Sequence, residues 1–291
     1  MGVYSAPRAR RIEVAAGLSW EEIIKPLVIE RNGLKIAIVA FTENEFSTAS
    51  PGKGIGCNPL NVVGNVRQIQ NVRGKADFVI VILHGGSEMY PLPSPQFADT
   101  CRFFIEMGAD AVVCHHTHVT SGLEYYHDKP IIYGLGNFLF GWPTAQPDDW
   151  YHGMAVELIL EKNTQITTRI FAFIQCRSQP GMRSFEHHEM ESFKDRIEGL
   201  SEIIAKRDLL EAKWAAFCQV RKRSYMSGAF GLSRIEAVLY TKGFTPMPFW
   251  HMNQHKRLHL LNLIRCESHR DVLINALSEK KFYDNASKER K

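Results

Sequence analysis

The chain is poor in cysteine, and the cysteines it has are not spaced to work together. Six occur in 291 residues, at positions 57, 101, 114, 176, 218 and 266, with no CxxC unit among them. That spacing excludes a zinc ribbon and argues against a disulfide framework, so reduced thiols in a cytoplasmic setting are the expectation. Long apolar runs are also lacking. None reaches the roughly 18–20 residues that a membrane-spanning helix needs. The segment Arg8-Ala9-Arg10-Arg11 carries charge without an apolar stretch behind it, which is not the pattern of a signal peptide. No sign of charge dominates. The formal net charge is +4, and its basic clusters, Arg221-Lys222-Arg223 and Lys288-Glu289-Arg290-Lys291, are short and read as solvated helix faces or tail. Nucleic-acid binding calls for a denser basic stripe interleaved with aromatics, so no nucleic-acid partner is expected. Internal repeats and low-complexity segments are absent.

What is present is the patterning of an α/β protein. An irregular lead-in over 1–20 gives way to a short amphipathic segment, Trp20-Glu21-Glu22-Ile23-Ile24. The apolar runs Leu27–Glu30 and Leu34–Phe41 flank Asn32-Gly33, a pair that tolerates positive φ at both turn positions and so predicts a hairpin. The stretch 44–60 is rich in Ser, Gly, Pro and Asn and reads as loop. A helix is expected over 61–73 and a buried strand over 77–83. Residues 95–108 have helical spacing, with Ser94 as N-cap, Pro95 at the first helical position and Gly108 as the stop. Strand, helix, strand across 77–113 is a βαβ unit and predicts a parallel pair. Strands at 122–126 and 130–134 around a turn at His127-Asp128-Lys129, then at 153–161 and 165–175, make the next part antiparallel. Composition shifts near Arg177-Ser178-Gln179-Pro180-Gly181, and 189–223 and 255–280 are amphipathic helix patterns. The domain reading is an α/β portion over 1–178 and a helical appendage over 179–291.

Chemistry concentrates at two strand ends. The run Phe78–Leu83 ends in His84-Gly85-Gly86, and Ala111-Val112-Val113 runs into Cys114-His115-His116-Thr117-His118. Imidazole is the commonest metal ligand, and two strands that each deliver histidine at their carboxyl ends suggest a metal site at a sheet edge. Were the strand to continue, His116 and His118 would share one face and His115 the other. Asn137 sits in a glycine-flanked turn, Gly134-Leu135-Gly136-Asn137, where its amide can orient a ligand or stabilise its own backbone. Glu88, four residues after His84, is a candidate acid/base or outer carboxylate, against the plainer reading of a solvated loop residue.

These residues carry a resemblance. His84-Gly85-Gly86-Ser87-Glu88, the run Gly108–Val119 and the run Lys129–Phe138 resemble, in order, three motifs of the poly-γ-glutamate capsule biosynthesis (CapA-type) family. That family lies within the calcineurin-like metallophosphoesterase superfamily. The resemblance covers roughly residues 15–175 and leaves out the helical tail. It implies an α/β fold, a partial two-sheet metallophosphoesterase-like sandwich, with the C-terminal helical appendage added to it. It also implies a divalent metal (manganese, zinc or iron), in a dinuclear site in the complete family domain, with His84 and His116 serving one metal and His118 the other. His116 and Glu88 become the candidate catalytic residues, and Asn137 and His115 the candidate substrate or outer-shell groups. The implied substrate is a small molecule or an anionic polymer.

The same resemblance exposes a gap. The family's amino-terminal Gly-Asp, acidic segment and Asn-Asn-His stretch have no counterpart before Gly17, so the chain reads as the carboxyl-terminal portion of the family domain. Cys114 also stands where related sequences often carry glycine. Two cations a few ångströms apart need a bridging carboxylate to offset their repulsion. The resemblance implies either a metal-dependent hydrolase of capsule biosynthesis or a non-catalytic remnant or assembly subunit that is completed by a partner polypeptide. The residues alone leave open an unrelated mononuclear three-histidine hydrolase.

Overall fold

The computed structural model describes residues 16–44, 55–142, 144–177, 180–229, 232–244 and 254–265. The lead-in before residue 16, most of the 44–60 loop, the helix expected past residue 265 and the basic C-terminal cluster lie outside the described residues. Elements run β1 (Ala16–Gly17), α1 (Trp20–Ile23), β2 (Leu27–Arg31), β3 (Leu34–Thr42), β4 (Gly56–Cys57), α2 (Val62–Arg73), β5 (Phe78–His84), α3 (Pro95–Glu106), β6 (Ala111–His115), β7 (Leu123–Tyr126) and β8 (Lys129–Ile132). A 3₁₀ turn (Asp148–Tyr151) then leads into β9 (His152–Ile159), β10 (Thr167–Gln175) and β11 (Met182–Ser184). Last come α4 (His187–Ala205), α5 (Arg207–Ala229), α6 (Arg234–Thr241) and α7 (Gln254–Arg265). The fold is mixed α/β with several sheets and helices at the C-terminal end, as the sequence implies.

The main sheet has six strands in the order β2-β3-β5-β6-β8-β7. Its centre is parallel (β3, β5, β6 and β8), and both edges are antiparallel hairpin partners. Both hairpins close on two residues in left-handed backbone, Asn32 (φ 51°) with Gly33 (φ 73°), and His127 (φ 49°) with Asp128 (φ 61°). Left-handed backbone at both central residues suits the twist of the flanking strands, which is why Asn-Gly announces the first turn. The second does the same without glycine. The helices start where capping chemistry places them: the Ser94 hydroxyl accepts from Phe97 N–H, and Asn61 Oδ1 accepts from Gly64 N–H.

Two aspartates set the parallel register. Asp77 N–H donates to Lys35 O at 2.7 Å, while Lys35 N–H donates to Asp77 Oδ2 at 2.7 Å. One strand along, Asp110 N–H donates to Val79 O at 2.7 Å and Val79 N–H donates to Asp110 Oδ2 at 2.8 Å. Each carboxylate extends the ladder past the start of its strand, satisfying a backbone donor that would otherwise lack a partner. The Lys35 N–H bond holds the Asp77 carboxyl below its usual range, with Lys162 adding to the effect. Asp110 is further tied by Arg73 and by Lys129 Nζ at 3.2 Å, joining α2, β6 and β8 at one carboxylate.

Alternation along the strands divides the side chains between two cores. Phe41 meets Phe104 of α3 at 5.4 Å between ring centroids, and Cys114 Sγ lies 3.7 Å from Cys101 Sγ of α3. Val113 and Ile132 face the other way, into a core with Met154 of β9, Ala172 of β10, and Phe193 and Ile197 of α4. The second sheet, β11-β10-β9, is antiparallel throughout and reaches the main sheet through this core. Where helical spacing covers 189–223 in one run, the structure has two helices. Lys206 adopts extended backbone (φ −106°, ψ 99°) between them. The described residues fall into two compact units, divided after Ala215. In the second, the Arg223 guanidinium lies 5.7 Å from the Tyr240 ring centroid and donates to Tyr240 O.

Replacing Asp110 tests the register clamp. Asp110→Ala strands Val79 N–H and removes the partner of two cations, with the carboxylate side chain only 14% exposed. A loss of about 2–4 kcal/mol is expected in urea unfolding, from a part-buried ion pair and one unsatisfied backbone donor. A loss below about 0.5 kcal/mol, the range of an ordinary surface substitution, would count against the clamp.

Candidate functional site

Because β3, β5 and β6 are parallel and in register, Thr42, His84 and His115 stand side by side at the carboxyl ends. All three fall on the face opposite Phe41, Leu83 and Cys114, away from α3. His84 and His115 therefore meet: their Nδ1 atoms are 2.9 Å apart and their ring centroids 4.7 Å. The strand stops at His115. His116 follows with φ 115° and His118 with φ 61°, so neither continues the strand's alternation. The positive φ at His116 swings its ring back over the sheet end, and its Nδ1 lies 3.0 Å from His84 Nε2. His84 thus has a histidine nitrogen at each of its own. The expectation that His115 diverges from its neighbours gives way to a chain of three imidazoles, His115, His84 and His116.

His118 is held separately. Its Nδ1 lies 2.8 Å from Asn137 Oδ1. An amide oxygen can only accept, so His118 carries its proton on Nδ1 and presents Nε2 as the lone-pair nitrogen. Its ring is stacked by Phe140 (5.3 Å, 19°) and by Trp150 (5.0 Å, 24°) and is 6.1 Å from His116 between centroids. Asn137 is buried and donates through Nδ2 to His118 O and to Trp150 O. The segment carrying Asn137 lies tight against β9: a Cβ on Gly153 would collide with Asn137 O, and one on Gly136 with His152 O. Only glycine at both positions lets the two backbones approach this closely.

Burial keeps His115 neutral. Its pKa is lowered to about 4, first by desolvation and then by the neighbouring His84 and His116. Neutral imidazole is the form that binds a metal. The contacts along His115, His84 and His116 use opposite nitrogens of His84, so a single cation would draw on only one of the two pairs. Four imidazoles backed by an amide are a donor set that fits a divalent transition metal in type. Among the described residues, however, no three His, Cys, Asp or Glu side chains already stand as a ligand group. Glu88 is exposed in the turn after β5. Another carboxylate follows β3. Glu43 N–H donates to His84 O at 2.8 Å, but its side chain lies against Gly85, where an added Cβ would also meet Phe97 of α3.

Sequence spacing brings His84, His115, His116, His118 and Asn137 into one candidate site, and the structure places all five together. Phe140, Trp150 and Gln175 were not found that way. Gln175 is fully buried at the end of β10, where its Oε1 accepts from Phe140 N–H at 2.8 Å and its Nε2 donates to Trp150 O at 3.1 Å. No spacing rule reaches from His118 to a glutamine on the second sheet. The one signal available was an amide at the end of an apolar strand. Beyond these residues, Phe138, Leu139 and Trp142 are exposed, so an apolar rim adjoins the histidines.

Comparison with known proteins concerns the segment that carries these histidines. Residues 11–142 match the family described as bacterial capsule synthesis protein PGA_cap. The capsule biosynthesis protein CapA of Bacillus anthracis is 29% identical over 136 residues, which is 44% of this chain and 33% of that protein. The PGA biosynthesis protein CapA of Bacillus subtilis is 32% identical over 133 residues, 44% of this chain and 35% of that one. The aligned part thus spans about a third of the length of these relatives. Among solved structures, a hypothetical protein from Thermus thermophilus aligns with TM-score 0.32 and 16% identity, over 50% of this chain and 61% of that one. The NAD nucleotidase (NadN) of Haemophilus influenzae aligns with TM-score 0.31 and 16% identity, over 70% and 40%. The architecture rests on the chain's own strand pairing rather than on those two alignments. The three strand-end motifs all lie within the matched segment, residues 11–142, which is similar to the CapA-type capsule synthesis proteins.

Proposed function

We propose that this chain acts in capsule or poly-γ-glutamate biosynthesis through a metal-dependent hydrolase site of the phosphoesterase type, built on His84, His116 and His118. The observation that carries this reading is the convergence of four imidazoles at adjoining strand ends inside a CapA-type segment. His84 and His116 would hold one cation and His118 a second, and a bound cation would supply Lewis-acid polarisation and a lowered pKa for water. The residues of the chain do the rest. Asn137 fixes the His118 tautomer, so that Nε2 and not Nδ1 is the donor atom. His115 packs beside His84 and stays neutral, which keeps a competing positive charge away from the cation. Glu88, exposed in the turn after His84, is the candidate acid/base carboxylate of this reading. The substrate class is a small molecule or an anionic polymer bearing a phosphoester or related linkage. A partner polypeptide that adds carboxylates to the site is the second reading, favoured by the lack of a ready ligand group among the described residues.

Calorimetric titration of the purified chain with Zn²⁺ and Mn²⁺ separates these readings. Saturable binding by the wild type is expected, with His116→Ala and His118→Ala each weaker by at least about tenfold, the scale of losing one ligand-side group. A chain that takes up neither metal, and hydrolyses no phosphodiester, leaves the partner-completed reading in its place.

A second test is pH dependence of stability. His115 has a folded-state pKa of about 4, below the unfolded value of about 6.5. The unfolded chain therefore binds a proton between those values that the folded chain refuses. The His115 contribution is fully present above about pH 6.5 and is lost as pH falls toward 4, by up to about 3 kcal/mol. Urea unfolding of the metal-free protein across that window should show this slope, and His115→Gln should flatten it. An unchanged slope in the variant would contradict a buried neutral His115.

A further inference from the structure

The two aromatic rings that stack on His118 are both anchored by one residue on the other sheet. Phe140 and Trp150 lie ten residues apart and neither belongs to a strand; Trp150 sits in the 3₁₀ turn (Asp148–Tyr151). Phe140 itself is 40% exposed, so burial alone does not fix it. The two rings touch each other at 5.3 Å between centroids, and Gln175 ties their backbones together. Its side chain has 0% exposure, its oxygen takes the Phe140 N–H, and its nitrogen gives to the Trp150 carbonyl. The Trp150 carbonyl also accepts from Asn137 Nδ2, and Asn137 Oδ1 holds His118 Nδ1. A continuous path of hydrogen bonds therefore runs from the end of β10, through the Trp150 carbonyl and Asn137, to the imidazole of His118.

We propose that Gln175 is a positioning residue for His118, holding the backbones of Phe140 and Trp150, the aromatic pair that packs together against one side of the imidazole. The geometry is specific to a glutamine. One acceptor and one donor are needed at a single buried point, and a neutral amide supplies both without bringing a charge into the core. A hydrophobic residue of similar length fills the space but strands Phe140 N–H. A carboxylate keeps the acceptor and loses the donor. This role rests on the reading of His118 as a site residue, but its spectroscopic consequence does not depend on a metal.

The test is proton NMR of the His118 ring, assigned through the His118→Gln variant. Packed against the Phe140 and Trp150 rings, the imidazole carbon-bound protons of the wild type are expected upfield of those of an exposed histidine. In Gln175→Met they should move back toward the exposed position. In Gln175→Glu, which keeps the acceptor for Phe140, the move should be smaller. Ala172→Gly, a destabilising change on the same strand, serves as control and should leave the His118 shifts in place. Thermal unfolding confirms that each variant is folded, and Gln175→Glu carries the test should Gln175→Met fail to fold. His118 protons that stay at wild-type positions in a folded Gln175 variant, or that move equally in Ala172→Gly, overturn the proposal. In the same samples, Zn²⁺ affinity should fall about tenfold or more in Gln175→Met, the scale typical of outer groups that orient a ligand. If the wild type binds no Zn²⁺, the metal reading fails while the ring shifts still decide the role of Gln175; if it binds and Gln175→Met binds equally well, Gln175 does not position the ligand.

Discussion

The site depends on the register of three parallel strands, and two carboxylates hold that register. Side chains alternate along a strand, so a slip of one residue between β5 and β6 would send His115 to the α3 face and bring Cys114 beside His84. Parallel pairing offers little local help against such a slip, because no tight turn joins the strands. Asp77 and Asp110 supply what a turn would. Each is bonded both ways to a backbone position of the preceding strand in the sheet, Lys35 and Val79 respectively. The same sequence unit, Ala-Asp followed by apolar residues, occurs at both strand starts. It fixes at one end of the sheet which side chains emerge together at the other.

From that constraint the histidine geometry follows in steps. In-register ends put His84 next to His115, and the strand then has to stop if His116 is to join them. It stops through positive φ at His116, a conformation costly for a residue with a Cβ and found where surrounding structure imposes it. Strain at a strand end beside a cluster of imidazoles is the kind of local conflict that functional sites carry. The neutrality of His115 belongs to the same picture. Three imidazoles within hydrogen-bond distance cannot all be protonated without strong mutual repulsion, and burial takes away the water that would screen it.

Much of this was legible in the sequence because it is local. Asn32-Gly33 announces its hairpin through the φ values it permits, and Ser94-Pro95 announces the start of α3 through its cap. The βαβ order predicts the parallel pair that brings His84 and the 115–118 cluster together, and glycine spacing marks Asn137. What spacing could not give was the fine placement of each ring. Strand alternation extrapolated through His116 and His118 fails because the chain leaves extended backbone at His116. The break between α4 and α5 at Lys206 was hidden for a related reason. The amphipathic pattern there is continuous, and a single extended residue leaves no periodicity to read.

The second sheet was legible as strands but not as part of the site. Its link to the histidines is neither a ligand nor a charge but two buried amides, Asn137 and Gln175, which meet at the Trp150 carbonyl. Buried amides are costly unless every donor and acceptor finds a partner, and such networks have essentially one arrangement that satisfies them all. That property suits a site whose imidazoles lie at the end of a sheet, where strand pairing no longer constrains them. On the main sheet, backbone register places His84 and His115. Beyond its edge, side-chain amides from two segments take over the same task for His118. The chain thus fixes its histidines by two different means, and the change from one to the other falls at the residue where β6 ends.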